Sequence, residues 1–165
     1  MNPNQLLTII LFLISATIFS VIVGGLVKQS VLPLKPVMDY SEPQLKFIKI
    51  WVNVALFIGV ILPGLILIFV WQQPLQHQFL SYYLIVFFLQ LASEFIFKRW
   101  FCKSVVVIIG ILYTGFRIWQ LWSGLHSITY PQPWFSLLEV VFIFWIANLI
   151  MLFTLAFPSI MPEKA

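Results

Sequence analysis

Charge is what this sequence has least of. Nine Lys or Arg and five Asp or Glu are all that 165 residues carry, 8% of the chain, against 62% hydrophobic. A soluble domain typically holds about 25% charged and about 45–50% apolar residues. Too little polarity interrupts the Leu, Ile, Val and Phe runs for a water-facing surface to form. The expected class is an all-α integral membrane protein, a single domain over residues 1–165. The formal charge of +4 does not point to nucleic acid, because such contacts need a basic patch displayed on a soluble face. No nucleic-acid partner is expected.

Cysteine is almost missing as well. Cys102 stands alone, which excludes an intrachain disulfide and any CxxC or Cys/His metal spacing. His77 and His126 each fall in an expected loop and read as interfacial side chains. No internal repeat, Gly-rich phosphate loop, GxSxG or HExxH pattern occurs. No catalytic, metal or cofactor-binding residue is therefore expected, and no cofactor.

What is there is length in the apolar runs. A helix needs about 20 apolar residues to cross the hydrocarbon core, and the sequence offers five such stretches, predicted at 5–27, 48–71, 78–97, 104–122 and 134–157. The first is expected to be a retained span, not a signal peptide. It has no Lys or Arg ahead of it, exceeds the usual apolar run of about 7–15 residues, and lacks an A-x-A-like cleavage site. Ser41-Glu42-Pro43 suits the start of a helix, and Pro63 should kink the second span. Short loops join the spans, and a polar tail, "PEKA", follows the last.

Sidedness follows from the basic residues. Lys28, Lys35, Lys46 and Lys49 flank or fill the loop after the first span, and Lys98, Arg99 and Lys103 that after the third. The N-terminal segment and the other two loops hold none. Five spans place both basic loops on one side, which by the positive-inside rule predicts an outside N-terminus and a cytoplasmic C-terminus, or the organellar equivalent. Trp51, Trp71, Tyr82, Trp100, Trp122, Tyr130 and Trp134 fall near span boundaries, as interfacial belts require. Trp119 and Trp145 lie deeper.

A few polar residues interrupt the spans. Tyr83, Gln90 and Glu94 share one face of the third. Glu94 is expected to meet Lys98 at i+4 near the basic end, with Asn53 of the second span at similar depth. In the fourth span Gly110, Tyr113, Arg117, Gln120 and Gly124 form one stripe. An arginine near a helix centre costs about 2.5–3.5 kcal/mol on insertion scales, so it needs a partner. Arg117 precedes Trp122 by five residues and Glu139 follows Trp134 by five, which sets both about 7–8 Å below one boundary. The first expectation is an Arg117–Glu139 pair, ahead of Arg117 reaching outward to a lipid phosphate or binding a substrate anion. Asn148, mid-membrane in the fifth span, should bind a partner helix or a group inside the bundle. Ala16, Ser20 and Gly24, and likewise Ala55, Gly59 and Pro63, are spaced as close-packing faces.

Three functions fit these features. The best supported is a non-enzymatic accessory subunit, scaffold or assembly factor of a membrane complex. Its partners would be the lipid bilayer and another membrane protein or a second copy. The alternative is a small transporter or substrate-binding component for a small anion or amphiphile, with a polar cavity near Arg117 and Glu139. A membrane enzyme is the weakest, since Glu94 and Glu139 fall in opposite leaflets, too far apart to share one reaction.

Overall fold

The computed structural model describes residues 3–162, so most of the "PEKA" tail, Glu163 to Ala165, lies outside the described residues. The regular structure there is entirely helical. Five helices are long and apolar enough to cross a membrane: α1 (Pro3–Lys28), α2 (Glu42–Phe69), α3 (Pro74–Trp100), α4 (Lys103–Ser127) and α5 (Trp134–Ile160).

Each expected span is present, and several overrun their predicted ends. Helix α2 begins at Glu42 instead of residue 48 because Ser41 caps it. The Ser41 N–H donates to Gln44 Oε1 at 2.9 Å, and proline occupies the first turn, where its missing N–H costs nothing. Helix α4 continues from Trp122 to Ser127, five residues past its predicted end. A run of polar residues reads as a loop by hydropathy, yet nothing in Ser123–Ser127 breaks a helix: Gly124 packs against α3, and His126 Nδ1 lies 2.9 Å from the Trp122 carbonyl oxygen.

Proline shapes two of the helices in the same way. Helix α2 widens into a π segment at Phe57–Ile61 and α5 at Leu152–Ala156, and each segment ends two residues before a proline, Pro63 and Pro158. A proline ring clashes with the carbonyl four residues back and cannot bond to it. The wider turn passes that point with i→i−5 bonds, Leu62 N–H to Phe57 O and Phe157 N–H to Leu152 O.

Helices α2 to α5 form a four-helix cluster in which α3 packs on α2 and α4, and α5 packs on α4 and α2. Helix α1 lies against α3 and α4 and turns Ala16, Ser20 and Gly24 inward. Gly24 lets the Phe101 ring come close, since a Cβ there would stand 2.7 Å from its Cγ. The helix most enclosed is α4, with 56% of its apolar window buried against 17% for α2. A polar group on its buried face is therefore shut off from anything outside the protein.

The two ends of the bundle differ. At one end the 29–41 loop joins the end of α5, with Lys35 N–H donating to Ile160 O at 2.8 Å, and Ser104 Oγ donates to the Lys35 carbonyl. This end gathers both basic loops. At the other end Gln76 Nε2 donates to Thr129 O at 2.9 Å, tying the first turn of α3 to the α4–α5 loop. This second end has no Lys or Arg in either loop.

Candidate functional site

Among the described residues one charged side chain has no exposed surface, and it is the largest of the fully buried ones. Arg117 is 0% exposed, although it carries a permanent charge. Its Nη2 donates to Gln90 Oε1 on α3 at 2.5 Å, and Gln90 Nε2 donates to Glu94 Oε1 at 2.6 Å. The amide thus stands between a cation and a carboxylate, its oxygen toward the first and its NH₂ toward the second, the orientation that charges at both ends require.

Aromatic rings enclose the rest of the guanidinium. Its Cζ lies 4.1 Å from the ring centre of Trp145, 4.7 Å from that of Phe87 and 5.8 Å from that of Tyr83. Arg117 Nε and Nη1 find no hydrogen-bond acceptor among the described residues. Ring faces carry the negative side of the aromatic quadrupole, and a desolvated cation–π contact contributes about 2 kcal/mol or more. On α3 the contributors Tyr83, Phe87, Gln90 and Glu94 follow one another at spacings of four, three and four, one face of a helix.

A proline sets the second layer. Pro63 has no N–H for the carbonyl four residues back, which belongs to Gly59, and Tyr83 Oη donates to that carbonyl at 2.8 Å. Trp145 Nε1 in turn donates to Tyr83 Oη at 2.7 Å. Gly59 permits the arrangement, because a Cβ on it would clash with the Trp145 ring, with Cε2 and Cη2 each 3.2 Å away and Cζ2 closer still. So the broken turn of α2 orients Tyr83, Tyr83 orients Trp145, and Trp145 covers Arg117.

The expected Arg117–Glu139 pair does not form. Glu139 lies on the exposed face of α5 and has no ion pair or hydrogen bond among the described residues. Two physical reasons separate the residues. Because α4 runs on to Ser127, Arg117 is ten residues from that end, about 15 Å, whereas Glu139 is only about 7–8 Å from its own. Helical side chains also tilt toward their own N-terminus. Arg117 therefore reaches toward the basic end, where the antiparallel α3 tilts Gln90 and Glu94 up to meet it, while Glu139 tilts away. The residue of α5 level with Arg117 is Trp145, about 16 Å from the Trp134 end.

Other expectations change with it. Glu94 takes Gln90 as its partner, with no ion pair to Lys98, since burying Gln90 against Arg117 presents its amide to the carboxylate. Asn53 is exposed on α2 and makes no hydrogen bond to Glu94, because α2 turns Gly59 and Pro63 inward instead. Asn148 is bound within the bundle: it accepts from Trp51 Nε1 at 2.8 Å and donates to Thr114 Oγ1 at 3.2 Å, linking α2, α5 and α4. Tyr113 is buried, its Oη 3.4 Å from Ser93 Oγ and its ring edge-on to Phe12. Gln120 is buried on the same stripe.

Among the described residues no three His, Cys, Asp or Glu are gathered as a ligand set. Phe87, Trp145, Thr114 and Trp51 were not singled out as site residues from the sequence, where apolar and aromatic side chains in a span carry no mark of their contacts. No known protein family, curated protein or solved structure matches the chain.

Proposed function

We propose that the chain is a multi-pass integral membrane protein acting as a non-enzymatic subunit, scaffold or assembly factor, whose working surface is the outside of its helices. The observation that supports this reading is the fate of Arg117. Its guanidinium is enclosed inside the bundle, between Gln90 and three aromatic rings, so the polar interior serves packing and leaves recognition to the outer faces. Those faces are broad and apolar, with Ile18, Ile68, Phe95 and Ile143 among many exposed large side chains. Extraction of the full chain from its own membrane in a mild detergent tests it. The expected result is stoichiometric co-migration with a second membrane protein, far above the 19.2 kDa of the chain. A monomer that retains a small anion, released when Arg117 is replaced, would overturn the reading in favour of uptake.

We further propose an outside N-terminus and a cytoplasmic C-terminus, from the gathering of both basic loops at one end. The lone Cys102 sits half-buried at that end. A membrane-impermeant maleimide should label it in inverted vesicles and stay at background in right-side-out ones. The reverse pattern would invert the topology.

A further inference from the structure

Glu139 is an outward-facing carboxylate of α5 with no hydrogen bond or ion pair among the described residues, and neither loop at its end holds a Lys or Arg. Seven of the nine Lys and Arg lie in or beside the two basic loops, Arg117 is enclosed, and Lys164 belongs to the tail. Glu139 stands about one and a half turns inside α5, within the apolar band. A carboxylate there is costly unless a cation meets it. The face continues from it as Ile143, Ile146, Ile150 and Phe153, all exposed. The spacings of four, three, four and three form the seam on which two helices pack with a left-handed crossing. A single charged position in such a seam sets register and partner choice.

We infer that this face of α5 is the docking seam for a transmembrane helix of a different protein, one that carries a Lys or Arg level with Glu139. The inference rests on the accessory-subunit reading and names the contact. A second copy is the wrong occupant. Symmetric pairing of this face between two equally oriented copies would set Glu139 against Glu139, like charge against like.

The test uses the full chain in its native membrane with the photoreactive residue benzoylphenylalanine at position 143, where the native side chain is 63% exposed. The expected product is an adduct to another protein, mapped to a span with a basic residue. It should be lost in Glu139→Gln, kept in Glu139→Asp, and restored when Glu139→Arg is combined with a Glu in place of the partner's cation. An adduct to lipid alone, an adduct of twice the chain mass, or a protein adduct indifferent to Glu139→Gln would each overturn the inference. The same probe at Ile18 and Ile68 separates this failure from that of the broader reading. Protein adducts there with none at position 143 sink only the α5 seam, and none at any position sinks both. Since Glu139 is exposed, Glu139→Gln should keep the melting temperature of the parent in detergent, so that loss of the adduct reports docking and not unfolding.

Discussion

Arg117→Leu is expected to destabilise the bundle by about 3–5 kcal/mol, and adding Gln90→Leu should recover part of that loss. The single change removes the cation from between Trp145 and Phe87 and leaves the Gln90 oxygen buried without its donor. An unsatisfied buried acceptor costs more than the net worth of the bond it lost, whereas replacing both partners by apolar groups of similar size can approach neutrality. The double variant should therefore be more stable than Arg117→Leu alone, with Glu94, which is only half-buried, meeting solvent or lipid headgroups directly. Arg117→Lys should fall between wild type and Arg117→Leu, because an ammonium keeps the charge but cannot lie flat between two rings. Reversible unfolding of these three variants and of Gln90→Leu alone in mixed micelles measures the order and the coupling. Strictly additive losses from the two leucine substitutions would show that Arg117 and Gln90 act independently.

Gly59→Ala should cost about 1–3 kcal/mol by overpacking, with about 1 kcal/mol more if the Trp145–Tyr83 bond is lost. The added methyl would clash with the six-membered ring edge of a buried tryptophan, which is pinned by its bond to Tyr83 and by Phe87 and Phe144 around it. The ring has to move, and with it the cover over Arg117. Gly64→Ala, five residues along the same helix, is the control: nothing lies within 4 Å of its added Cβ. It should be neutral or slightly stabilising, since alanine is the better helix former. Thermal unfolding followed by tryptophan fluorescence distinguishes the two, and equal effects would overturn the packing argument. Trp145→Leu should make Gly59→Ala nearly harmless, which assigns the cost to that one contact.

Span number and the shared end of the two basic loops were legible in the chain because both depend on composition along it. An apolar stretch of sufficient length declares itself whatever its neighbours do. Even the consequence of Pro63 could be read, since the missing N–H leaves the Gly59 carbonyl to an outside donor. Which donor could not be read. Tyr83 was visible as part of a stripe with Gln90 and Glu94, but nothing in the spacing says which neighbour that stripe faces.

The partner of Arg117 shows where such reading stops. Equal distances from Trp122 and Trp134 suggested Glu139, and that depth argument failed on a helix end placed five residues short and on the sense in which side chains tilt. The tilt could have been used from the sequence, as it directs Arg117 toward α3 and away from Glu139.

By itself the sequence determined five crossing-length helices, their short connections, and the end at which the basic residues collect. Only the tertiary structure decided which face of each helix turns inward. In a soluble protein the inward face is the apolar one, but a span surrounded by hydrocarbon is apolar on every side, so rotation about its axis leaves little trace in the pattern of residues. That rotation is settled by packing, through Gly59 under Trp145 and Gly124 under Phe79, and it encloses Arg117 while leaving Glu139 outside.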